Sequence, residues 1–196
     1  MRGGLQRLEG APYFHCMNPK KTGALADLHA GLHSPIAERR DAALKRVAEE
    51  GELSTIPELV RLRGETDEEP IRSEIGSLLR GLKLEGAGEV LMETALLPEH
   101  AEQLPELLGF LWECGGSAQG HLRILSTRSV EHGMPIMVEA LTLFEALPEW
   151  VEDEADLLDA MLILQQGIQA RQGGNAAAEQ EMLKMMLAEL MKRERA

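Results

Sequence analysis

Apolar side chains recur along this chain in blocks with helical spacing, and the clearest block lies near its centre. Ile71, Ile75, Leu78, Leu79 and Leu82 stand at i, i+4, i+7, i+8 and i+11. That spacing places all five on one stripe of an α-helix. Thr66 to Glu69 has the T-x-x-E spacing of a capping box. Pro70 then falls in the first turn, where its missing N–H costs little. Gly86 and Gly88 interrupt the stripe, and Ala87, Val90, Leu91 and Leu97 begin a second apolar series. The pattern predicts a helix, a short turn and a second helix over 70–97. A pair this short buries one side of each helix and needs neighbours.

The neighbours are legible as further copies. Setting Arg40 against Arg72 places Ala43 on Ile75 and Val47 on Leu79, an offset of about 32 residues. The same alignment puts polar Arg46 on Leu78, as expected of a terminal repeat with one face towards solvent. Ser34 and Pro35 are start signals for that first helix, and Gly51 after Glu50 is its stop. Thr55 to Glu58 repeats the T-x-x-E spacing and opens a second helix through Leu59, Val60 and Leu62, with Pro57 in its first turn.

In the other direction the stripe reappears at Gln103, Leu107, Phe110, Leu111 and Cys114. Gly115 and Gly116 end that helix, and Leu122, Ile124 and Leu125 mark its partner. Ile136, Ala140, Leu143, Phe144 and Leu147 repeat the spacing once more, followed by a helix over 155–168 with Leu157, Leu158, Met161, Leu162 and Leu164. Four copies of a two-helix unit thus account for residues 34–170.

Outside the copies, Ala24, Leu25, Leu28 and Leu32 predict a short helix. Residues 1–22 are Gly-rich at their start and without helical period, which predicts a disordered leader, with Met17 as an alternative start. After a flexible QGGN segment, the pattern predicts a last amphipathic helix over 176–195, apolar at Met182, Leu183, Met186, Leu187 and Leu190. Its methionines, Met185 and Met191 included, leave two readings open: a helix that closes the hydrophobic end, or one that docks a partner. The domain plan is therefore a leader at 1–22, a repeat domain at 23–170, and a linker with a terminal helix at 171–196.

Composition agrees with an all-α fold. The chain of 196 residues is 44% hydrophobic but only 3% aromatic, so Leu, Ala, Met and Ile carry the packing. Period-two runs of β-branched residues are missing. A formal net charge of -13 argues against nucleic acid and anionic membrane surfaces, which need clustered Lys and Arg. Two distant cysteines, Cys16 and Cys114, form no disulfide framework and point to a reducing compartment. With no signal-peptide or membrane-spanning pattern, a cytoplasmic location is expected.

The stretches RRDAALKRVAEEGELSTIPELVRL and DEEPIRSEIGSLLRGLKLEGAGEVLMETAL resemble the short HEAT-like repeats of bacterial proteins. They share that family's order of basic residue, small apolar helix, turn and second apolar helix. The ankyrin T-P-L-H and the tetratricopeptide Trp, Leu-Gly and Tyr pattern are missing. The resemblance covers residues 35–97 well and 100–170 more loosely, since the copies at 100 and 133 lack the leading Arg. It implies an all-α, right-handed α-α superhelix (an armadillo-like solenoid) of about four pairs, serving as a non-catalytic protein-interaction scaffold or adaptor with an acidic surface.

In such folds the second helices line the concave face. The resemblance therefore implies Glu58, Arg61, Glu89 and Glu93 as contact residues. Trp112 and Trp150 are added as aromatic anchors. An alternative within the resemblance is a bilin-lyase-like or other cofactor-handling or chaperone protein, which would need clustered His or Cys in a groove. A third, lesion recognition in DNA, would need a basic groove.

The search for chemistry gives little. The six His, at 15, 29, 33, 100, 121 and 132, sit in no nucleophile or metal motif. His29 and His33 share a helical face at i, i+4, but no H-E-x-x-H surrounds them and Gly31 weakens the helix between. Gly115, Gly116 and Gly120 lack a following G-K-[ST] and read as a turn. The acids Glu149, Glu152, Asp153, Glu154 and Asp156 lack calcium-loop spacing and suit a helix start. No catalytic residue, metal ligand or cofactor is expected.

Overall fold

The computed structural model describes residues 26–28, 30–171 and 176–194, and every regular element among them is helical. Residues 1–25, which include the expected leader, Ala24, Leu25 and Cys16, lie outside the described residues, as does His29. Backbone contacts group the chain into two units that divide between Arg46 and Val47, inside the helix Ala37–Glu50, α1.

In the first unit, helical residues at 26–28 and 30–32 precede α1. Leu28, Leu32, Ala43 and Leu44 are buried. Gly31, expected to weaken the helix, is helical and serves packing. A Cβ there would stand 2.9 Å from the Ala43 Cβ, so only glycine admits this approach. Ser34 and Pro35 precede the helix rather than entering it. Ser34 Oγ accepts a hydrogen bond from the Ile36 N–H at 3.2 Å. The Ser34 carbonyl accepts one from Arg40 Nη1 at 3.0 Å.

The second unit holds the helices Ile56–Glu65 (α2), Glu69–Arg80 (α3), Ala87–Ala95 (α4), Leu104–Glu113 (α5), Leu122–His132 (α6), Met134–Glu145 (α7), Glu154–Ala170 (α8) and Ala177–Glu194 (α9). Short 3-10 turns at Leu53–Thr55 and Pro98–His100 lead into α2 and towards α5. α3, α5, α7 and α9 pack in series, each on the next. α2 packs on α4, and α6 on α8. Each second helix of an expected pair also lies against the next helix along the chain: α2 on α3, α4 on α5, α6 on α7, α8 on α9.

Helical periodicity explains why these segments bury the faces they do. In α3 the residues Ile71, Ile75 and Leu79 are buried and Leu78 is half-buried, as is Leu82 beyond the helix end at Arg80. Leu107, Phe110 and Leu111 of α5 are buried, as are Ile136, Ala140, Leu143, Phe144 and Leu147 in and after α7. A fully buried side chain of this size contributes about 1.5–3 kcal/mol.

α8 departs from its expected stripe. Leu157, Met161 and Leu164 are buried, but Leu158 is 46% exposed and Leu162 52%. The helix buries only the face it turns to α6 and α9, and Leu158 and Leu162 stand one residue off it at i, i+4.

The capping boxes do not form as expected. Thr55 is the N-cap of α2 but makes no side-chain cap bond. Its hydroxyl instead donates to the Glu52 carbonyl at 2.7 Å. Thr66 Oγ1 accepts from the Glu68 N–H at 3.2 Å, closing a turn ahead of α3 rather than capping it. By contrast, α5 ends as its glycines predict. The Gly116 N–H donates to the Leu111 carbonyl at 2.8 Å and the Gly115 N–H to Trp112 at 3.0 Å. With Gly115 at φ 80°, this is a Schellman termination.

The terminal helix is built into the second unit. Leu183, Met186 and Leu190 are fully buried against α7 and α8. Arg193 Nη2 donates to the carbonyls of Leu147 at 3.0 Å and Glu145 at 3.2 Å, satisfying the C-terminal end of α7. Arg171 secures the other end, with Nη2 donating to the Val130 carbonyl at 2.7 Å and Nε paired with Glu179 at 2.9 Å. α9 thus packs on the unit through Leu183, Met186 and Leu190, while Met185 is 53% exposed.

Candidate functional site

Two of the expected contact residues lie on successive turns of α2. Glu58, Arg61 and Glu65 follow at i, i+3 and i+7, so all three share one face. Arg61 Nη2 pairs with Glu58 Oε2 at 2.7 Å and Nη1 with Glu65 Oε1 at 3.3 Å. The hydrogen bond that Arg61 donates to Glu58 raises the guanidinium above its ordinary value, against the opposing effect of burial. With Arg61 half-exposed, each pair contributes only about 0.3–0.5 kcal/mol.

This face forms one wall of a cleft of about 460 Å³. The other wall comes from the end of α4 and the segment beyond it, with Thr94, Leu97, Glu99, His100, Glu102 and Gln103. The 3-10 turn Pro98–His100 redirects the chain there, and it buries His100 to 7% exposure. Gln103 Nε2 lies 3.5 Å from His100 Nδ1. The Gln103 amide reaches α2 because Gly64 has no side chain: a Cβ there would stand 2.2 Å from Gln103 Nε2. Gln103 Oε1 is buried, and among the described residues it has no hydrogen-bond partner.

Glu89 and Glu93 are exposed on α4 at i, i+4 and do not line the cleft. α4 reads AGEVLMETA and carries no Lys or Arg, so no cation stands in its last turn. Like charges at this spacing destabilise a helix by about 0.2–0.5 kcal/mol. Glu99 and Glu102 follow, also exposed, on the cleft rim. Between residues 87 and 102 the chain therefore presents four solvent-facing carboxylates and no Lys or Arg.

The two tryptophans stand elsewhere in the unit. Trp112 is 51% exposed on α5, and Trp150 is 60% exposed in the linker between α7 and α8. The Trp150 backbone is held although its ring is not buried. Gln119 Nε2 donates to the Trp150 carbonyl at 3.4 Å, and Gln119 Oε1 accepts from the Glu152 N–H at 3.0 Å. The structure thus brings Glu58 and Arg61 together, leaves Glu89 and Glu93 as a neighbouring pair on α4, and places the tryptophans on separate elements.

Sequence reasoning missed the roles of His100 and Gln103 in this cleft. The available signal was small: Leu-Pro-Glu-His after an apolar helix marks a turn, but not what the turn buries. It also missed a charged cluster inside the unit. Glu106, Phe110 and Glu113 share one face of α5. The Arg63 guanidinium sits 5.2 Å from the Phe110 ring centroid and that of Arg80 4.7 Å. Arg63 pairs with Glu106 and is 5% exposed, while Arg80 pairs with Glu113 at 3.3 Å. Such stacking contributes about 0.5–2 kcal/mol and ties α2 and α3 to α5.

Of the histidines, His33, His100, His121 and His132 are described, and His15 and His29 lie outside the described residues. Among the described residues no three His, Cys, Asp or Glu come close enough to hold a metal ion. Cys114 is half-buried, with its thiol donating to the Leu111 carbonyl at 3.2 Å, and burial pushes that thiol up. Among the described residues no helix is long and apolar enough to cross a membrane. Compared with family models, curated proteins and solved structures, the chain matches none.

Proposed function

We propose that this chain is a non-catalytic, cytoplasmic scaffold or adaptor of HEAT-like helical pairs, which presents an acidic surface to a basic segment of another protein. The observation that carries the reading is the run of Glu89, Glu93, Glu99 and Glu102, exposed on α4 and the rim of the adjoining cleft with no Lys or Arg between them in the sequence. Surfaces of one sign steer a partner of the other sign and set its register, which is a task of recognition rather than chemistry. The mutual repulsion of Glu89 and Glu93 is relieved when a partner's Lys or Arg approaches, so binding recovers what the free helix loses.

The repeated packing supports the solenoid part of the proposal. Helices α3, α5 and α7, whose starts lie 35 and 30 residues apart, each pack on the next. The test is affinity capture with the whole chain as bait, in the cell that makes it, at low and raised salt. A basic partner retained at low salt and released as salt rises supports the proposal. Recovery of no enriched protein under either condition contradicts it.

A further inference from the structure

We draw no further inference here: the strongest candidate, the exposed apolar strip of Leu158 and Leu162 on α8, is an unpartnered helix face, and nothing in the structure shows what covers it.

Discussion

The carboxylate of Asp156, in the first turn of α8, caps a helix that is not its own: Oδ2 accepts from the Leu122 N–H of α6 at 2.8 Å. Oδ1 accepts from the Arg123 N–H at 3.0 Å. Two of the amides that α6 leaves unsatisfied are thus met by a residue 33 and 34 positions later in the chain. Asp153 in turn caps α8, accepting from the Asp156 N–H at 3.1 Å. An acidic group at these amides also suits the positive end of the α6 dipole.

Asp156→Ala is therefore expected to destabilise the fold by about 1–2 kcal/mol, in the range of a lost helix N-cap. Asp156→Asn, which keeps an acceptor oxygen, is expected to lose less. Urea unfolding of the three proteins measures both. Equal midpoints for wild type and Asp156→Ala would show that the cap is replaced by water without loss.

Arg193 and Glu189 fasten the terminal helix. Glu189 is 9% exposed and accepts from Arg193 Nη1 at 2.6 Å and also from Lys192. Burial works to raise its carboxyl, but the hydrogen bonds from Lys192 and Arg193 outweigh it and hold the group below its ordinary value. A carboxyl lowered by folding adds stability above its unfolded pKa, and this is lost as pH falls through the folded value. Acid titration of stability is expected to be shallower in Glu189→Gln than in wild type below the ordinary carboxylate range. Parallel curves of unfolding free energy against pH would exclude the linkage.

Phe110 supports two cations at once, so its truncation acts twice. Phe110→Ala removes a buried ring and leaves the largely buried Arg63 without its stacking surface. A loss of about 3–5 kcal/mol is expected from the cavity alone. Phe110→Leu keeps most of the volume and separates packing from stacking. Thermal melts of both variants, in low and high salt, check the expectation; a melt within one or two degrees of wild type for the alanine variant refutes it.

Gly88 and Gly116 mark a backbone contact that admits no side chain. A Cβ on Gly88 would stand 2.8 Å from the Gly116 Cα, which is main chain and cannot rotate away. Gly88→Ala is expected to destabilise by about 1–3 kcal/mol despite its better helix propensity. A stabilised variant in chemical unfolding would mean that α4 and the 114–121 segment do not meet as described.

Much of the helical plan is legible in the sequence, for a physical reason. Ile136, Ala140, Leu143 and Phe144 repeat with the period of a helix because a helix must turn one face inward, and that constraint is local. The bonds that decide which helix meets which are not local. Asp156 reads as an ordinary acid at a helix start, yet its carboxylate caps amides 33 and 34 residues earlier. Arg193 reads as a cation suited to its own helix dipole, yet it satisfies carbonyls at the end of α7. Leu158 and Leu162 show the reverse failure: apolar residues at helical spacing, outside the face that has a neighbour.

The candidate surface was legible in part for the same reason. Glu89 and Glu93 are solvent-facing because α4 buries Ala87, Leu91, Met92 and Ala95; of the apolar series the sequence offered, Ala87 and Leu91 are buried, but Val90 is half-buried and Leu97 is 43% exposed. That Glu99 and Glu102 join a cleft with Glu58 depends on the turn at Pro98–His100 and on Gly64 admitting Gln103. No pairwise spacing encodes that meeting.

The measurement that tests the acidic surface most directly is a comparison of two baits. Wild type and a variant carrying Glu89→Gln, Glu93→Gln, Glu99→Gln and Glu102→Gln would be used to capture proteins from the native cell, with circular dichroism melts confirming that both are folded. All four side chains are exposed, so the variant is expected to melt no lower than wild type. The account predicts that wild type enriches a basic partner, and that the variant retains about tenfold less or none of it. Equal retention by the two baits, or no enriched partner with either, would contradict it.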